Sequence, residues 1–120
     1  MSQLINLSSS NTPPTPPVNW IDESTDFTAV VNNGYFCTGV VTVTLPANPS
    51  QGDTIIIYVD SVSTVTIQAS AGQTIQVGEN QSTSGGTAVS TAEGSSLSLV
   101  YRTSDTEWHS VSDNGTWNLT

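Results

Sequence analysis

The sequence predicts an all-β protein: a single antiparallel β-sandwich, jelly-roll-like in outline, preceded by an extended Pro-rich N-terminal arm. Three observations carry this. Val, Ile and Thr supply 38 of the 120 residues, against 18 for Ala, Leu, Glu, Arg and Met together. Such β-branched side chains fit a pleated surface and lose rotamer freedom in a helix. No window shows a sustained apolar stripe at the helical period. Short alternating runs separated by turn signals fill the chain instead, the pattern of a sandwich or barrel. An immunoglobulin-like sandwich is the second choice, but Cys37 has no partner cysteine to support it.

The arm, residues 1–19, comes first. Pro13, Pro14, Pro16 and Pro17 fix φ and disfavour helix at the residues before them. The segment is expected to be extended, near polyproline II. Leu4, Ile5 and Leu7 are the apolar residues near its start, expected to anchor it on another chain. The body, residues 20–120, opens on the acidic stretch Asp22, Glu23 and Asp26, read as a solvated turn. A short strand is expected over Phe27–Val31, and Asn33-Gly34 has the composition of a two-residue hairpin turn leading to Tyr35–Cys37.

Val40–Leu45 alternates, and Pro46-Ala47-Asn48-Pro49 with Gly52-Asp53 breaks it off. Thr54–Val59 is apolar on both faces and reads as a central strand, because at an edge it would invite association. Val65–Ala69, Gln73–Val77 and the weaker Thr87–Thr91 follow, with a polar loop over Gly78–Gly86. Ser96–Arg102 puts Leu97, Leu99 and Tyr101 on one face. Trp108–Val111 and, after the Asn114-Gly115 turn, Thr116–Leu119 complete eight or nine strands. No repeat of 20 to 50 residues appears, which argues against a solenoid.

Charge and composition exclude several functions. Ten acids face one Arg and no Lys, for a net charge of −9. A nucleic-acid binder needs cations to displace counterions from phosphate, and Arg102 alone does not suffice. The same shortage argues against anionic membranes. Leu, Ile, Val and Phe make up 28 residues, enough and periodic enough to favour a folded body over disorder. No signal-peptide pattern is visible at the N-terminus, and no apolar run approaches a membrane span. Cys37, in Tyr35-Phe36-Cys37, reads as a small buried hydrophobe.

Catalytic chemistry has little to work with. His109 is the only imidazole; with Asp105 and one of 18 serines it could suggest a triad, but no Gly-x-Ser-x-Gly supports one. No enzyme activity and no cofactor are expected. No metal site is expected: a zinc site is excluded within one chain, since one His and one Cys cannot supply its nitrogen and sulfur ligands, and the spacing of Asp22, Glu23 and Asp26 does not match an EF-hand loop. Trp20, Trp108 and Trp117, with Tyr35, Tyr58 and Tyr101, could form a platform for sugars, although packing is the simpler role for aromatics flanking strands.

One stretch carries a family resemblance. Val41 to Thr54 reads VTVTLPANPSQGDT, a strand ending Thr-Leu-Pro, a short loop and Gly-Asp-Thr, followed by the apolar Ile55–Val59. With Val65-Thr66-Ile67, Gln73-Thr74-Ile75, Ser98-Leu99-Val100-Tyr101, Glu107-Trp108 and Gly115-Thr116-Trp117-Asn118-Leu119, it resembles β-rich virion proteins of tailed bacteriophages. The resemblance spans roughly residues 28–119. A domain of this size with its own Met and an N-terminal arm is similar to a capsid decoration, or cement, protein; tail-fibre and receptor-binding modules share the look. The resemblance implies a non-enzymatic virion protein on the outer capsid surface, made in the host cytoplasm. Its partners would be the major capsid protein and itself, as a homotrimer. Trimer contacts are expected from apolar sheet faces, including Ile56, Tyr58 and Val100, and capsid contacts from the arm. The acidic charge agrees with a position outside a shell full of phosphate. The alternative is a tail-fibre or carbohydrate-binding receptor module.

Overall fold

The computed structural model describes residues 19–120, and over them the chain changes sheet at almost every strand. The expected arm residues Leu4, Ile5, Leu7, Pro13, Pro14, Pro16 and Pro17 lie outside the described residues. The strands are β1 (Asn19–Glu23), β2 (Phe27–Thr28), β3 (Asn33–Cys37), β4 (Val41–Thr44), β5 (Thr54–Val59) and β6 (Val65–Gln68), then β7 (Thr74–Val77), β8 (Asn80–Gln81), β9 (Thr87–Ser90), β10 (Ser96–Arg102), β11 (Glu107–Asn114) and β12 (Asn118–Leu119). They form a seven-stranded sheet in the order β1-β3-β5-β10-β11-β7-β8 and a five-stranded sheet in the order β12-β9-β6-β4-β2.

The first six strands wind as a short coil. Odd strands go to the larger sheet and even strands to the smaller, and each pairs in parallel with the strand two before it. Asn19 lies beside Asn33 and Asn33 beside Ile55; on the other sheet Phe27 lies beside Val43 and Val41 beside Val65. Corner hydrogen bonds tie successive turns, with Thr38 N–H donating to Glu23 O and Asp60 N–H to Cys37 O. From β9 onward the neighbours are mostly antiparallel: β6–β9, β9–β12, β5–β10 and β10–β11. The pairing of β7 with β11 is parallel.

The architecture is therefore an all-β, two-sheet body with mixed pairing. The expectation of an antiparallel, jelly-roll-like sandwich is corrected here, since five of the ten pairings among the described residues are parallel. The first half nevertheless winds in parallel turns within the two-sheet body. Its turns are of unequal length, so no fixed period marks them in the sequence.

Alternation builds the core. Ile55, Ile57, Val59, Leu97, Leu99 and Trp108 point inward from the larger sheet and meet Val41, Val43, Val65, Ile67 and Ala88 from the smaller, all at most 1% exposed. Trp108 buries the largest side chain, and its Nε1–H donates to Gln73 Oε1 at 3.0 Å. The Gln73 amide in turn donates to Pro46 O at 2.9 Å, so one buried polar side chain ties a core indole to the β4–β5 loop.

One turn differs from expectation. Asn33-Gly34 is not a hairpin loop; Asn32 takes the left-handed conformation (φ 65°) and β3 begins at Asn33. Gly34 answers to a different constraint. A Cβ there would lie 2.8 Å from the Trp20 indole, which packs across it from β1.

Candidate functional site

The outward face of the seven-stranded sheet divides into two chemically unlike parts. On β1, β3 and β5 it is aromatic and apolar. Trp20 stacks on Phe36 with ring centroids 4.7 Å apart, and Phe36 meets Tyr58 at 5.6 Å, edge to face. Ile56 lies beside Gly34 and Ser98, and Val100 sits one row on, beside Thr54 and His109. The pleat puts Ile56 and Tyr58 on this face because Ile55, Ile57 and Val59 are fully buried on the other. The three residues expected at an oligomer interface, Ile56, Tyr58 and Val100, are thus gathered on one outward face, each half-buried in the monomer. Sequence reasoning missed Phe36 as their neighbour and read Trp20 as a packing residue, with a sugar platform as its other role. Trp20 itself is 45% exposed.

On β7, β8, β11 and the Arg102 end of β10 the same face is polar and ionic. Glu107 is 3% exposed, unusual for a carboxylate. Its Oε2 accepts from Thr74 Oγ1 at 2.6 Å and from Gln81 Nε2. Its Oε1 lies 3.4 Å from His109 Nε2, which is also 3.0 Å from Asp105 Oδ2. Arg102 Nη1 lies 3.5 Å from the same Asp105 oxygen, with both groups exposed to solvent. The strand pleat puts Glu107 and His109 on one side. A 3-10 turn over Thr103–Asp105 ends on Thr106 in the left-handed conformation (φ 51°), which folds Asp105 back beside them. A β-branched residue at positive φ is strained. Here the Thr106 hydroxyl anchors it by donating to Gly72 O at 3.1 Å. The spacing Asp105-x-Glu107-x-His109 is the sequence signal that sequence reasoning passed over.

The other candidates separate. Asp22 and Glu23 fall on opposite faces of β1, and Asp26 Oδ1 accepts from Thr42 N–H at 2.8 Å. Of the aromatic platform, Tyr35, Tyr101, Trp108 and Trp117 are in the core. Trp20 and Tyr58 remain outward, but the tilts of 31° and 75° along Trp20–Phe36–Tyr58 give no flat surface for a sugar ring. Among the described residues no serine hydroxyl hydrogen-bonds the His109 imidazole. Cys37 is fully buried; burial, with a smaller contribution from the Glu23 charge, pushes its thiol from an ordinary 9.0 up to about 12. A thiol so protonated is a packing group and a poor nucleophile. An open groove of about 500 Å³, lined by Glu79, Asn80, Asp113 and Trp117 among others, lies beside β8.

No family model matches the chain, and no curated protein matches it either.

Among the described residues no helix is long and apolar enough to cross a membrane. The outward face offers two surfaces: an aromatic and apolar one, and an ionic one built around a buried carboxylate.

Proposed function

We propose that this chain is a non-enzymatic structural protein of a phage virion, a capsid decoration protein that binds the outer capsid surface as a homotrimer. The observation that carries the reading is the apolar patch of Trp20, Phe36, Ile56, Tyr58 and Val100, which the other described residues leave facing outward on an otherwise hydroxyl-rich surface. An outward cluster of aromatic and branched side chains on a sheet face has the composition of an interface centre. Convergence of three such patches around a three-fold axis would remove them from water. Residues 1–19, with Leu4, Ile5, Leu7 and the four prolines, are proposed to bind the major capsid protein. Linking weak contacts through such an arm raises avidity without new contacts in the body. The charge of −9 agrees with a position away from packaged phosphate.

The alternative, a carbohydrate-binding tail-fibre module, is favoured by no flat aromatic pair. Co-sedimentation of the purified chain with expanded heads tests the proposal. Saturable binding, lost when residues 1–17 are deleted, is expected. A chain that never associates with heads would overturn it.

A further inference from the structure

We propose that Asp105, Glu107 and His109 form a binding site for one divalent transition-metal ion of the zinc type, closing the 3-10 turn onto the edge of β11. The site goes beyond the virion reading and does not depend on it.

Donor geometry comes first. One imidazole nitrogen and two carboxylate oxygens lie within 4.8 Å of one another. Nε2 of His109 stands 3.0 Å from Asp105 Oδ2 and 3.4 Å from Glu107 Oε1. Ligands about 2.0–2.2 Å from a metal are separated from each other by roughly 3.0–3.5 Å along a tetrahedral or octahedral edge. Those two separations fall in that range; the two carboxylate oxygens lie up to 4.8 Å apart, wider than such an edge, so an ion fits once the exposed Asp105 rotates toward Glu107.

The state of Glu107 is the second and independent observation. It is 3% exposed, and its outer oxygen is held by two donors, Thr74 Oγ1 and Gln81 Nε2. Those donors come from β7 and β8 and fix the carboxylate plane, leaving Oε1 aimed at the imidazole. That is the arrangement in which outer hydrogen bonds orient a metal ligand. Buried charges in proteins are paired or coordinate metals. The only permanently cationic side chain of the protein, Arg102, is spent on exposed Asp105. Glu107 therefore has no partner of fixed positive charge among the described residues. A bound dication would supply it.

The donor set selects the ion. Imidazole with carboxylates suits zinc and its neighbours, whereas calcium takes six to eight oxygens and gains nothing from the histidine. Three protein ligands leave room for water on the solvent side. A sulfur-containing zinc set is out of reach for this chain; a nitrogen–oxygen set is not.

Isothermal titration of the full chain with zinc chloride near neutral pH tests the site, with circular dichroism confirming that each variant is folded. Saturable uptake of one ion per chain is expected. His109→Gln and Asp105→Asn should each weaken it at least tenfold, and Thr74→Val, which touches only an orienting bond, by about tenfold. Calcium chloride should give no comparable uptake. The proposal is overturned if the wild-type chain shows no saturable zinc binding, which would leave His109 as a contact between two acids and nothing more. It is equally overturned if His109→Gln binds as tightly as wild type, which would place the ion elsewhere on an acidic surface.

Discussion

The coiled first half and the mostly antiparallel second half share one core but present opposite chemistry to solvent. β1, β3 and β5 stack in parallel and turn Trp20, Phe36, Ile56 and Tyr58 outward. β10 and β11, with β7 and β8, turn Arg102, Glu107, His109, Thr74 and Gln81 outward. Among the described residues the coil also ends on a strand, β1, with no neighbour on its far side. In the second half β8 ends the sheet with only two residues. Short edges resist association, while a longer edge flanked by aromatic side chains favours it. Inside, the two halves are alike: Ile57 and Leu97 face each other across β5 and β10, and the inward residues of both meet the smaller sheet. The comparison teaches that pairing direction and surface role divide the molecule, while packing unites it.

Substitutions in the core break this picture first if it is wrong. Trp108→Ala in the second half should cost about 3–5 kcal/mol, and Ile57→Ala in the first about 2–5 kcal/mol. Urea unfolding followed by circular dichroism and by tryptophan fluorescence should give one coincident transition for each. Separate transitions would mean that the halves fold as independent units. Next in size is Gln73→Ala, which leaves the Trp108 Nε1–H without its acceptor and frees Pro46 O. A loss of about 1–3 kcal/mol is expected in the same assay.

Cys37 links the halves' interior to pH. Its folded-state pKa is raised, so the native state holds the proton more tightly than the unfolded chain does. Its contribution to stability is complete below pH 9.0 and is lost progressively as the pH rises toward about 12. Denaturation midpoints of the wild type and Cys37→Ala should converge across that window, and a thiol reagent should react only with unfolded protein. The smallest effect is expected at Asp26→Ala, which removes one exposed hydrogen bond to Thr42 N–H and with it roughly 0.5–1.5 kcal/mol from the start of the coil.

Much of this was legible in the residues. Ser96–Arg102 is a strand over the span its alternation indicates, and Thr54–Val59, apolar on both faces in the sequence, is the central strand it reads as. Val100 was legible on the face opposite Leu97, Leu99 and Tyr101, whereas only the structure shows that Ile56 and Tyr58 share that outward face. β1 was not legible, since Asn19–Asp22 are exposed and Glu23 only half-buried, so no burial period marks them. Parallel pairing was not legible either: side chains alternate identically in parallel and antiparallel strands, and the coil's turns differ in length. Gly34 misled because a glycine serving a turn and one serving a close approach by Trp20 look the same in a sequence. Glu107 escaped notice because burial of a carboxylate depends on Thr74 and Gln81, which lie far from it along the chain.

The central claim is that the apolar half of the outward face is an interface between copies of this chain. Light scattering on the eluting full-length protein measures it directly, beside a Tyr58→Arg variant that places a charge in the patch. A trimer that falls to a folded monomer on substitution is the predicted result. A wild-type chain that is monomeric at every concentration would contradict it.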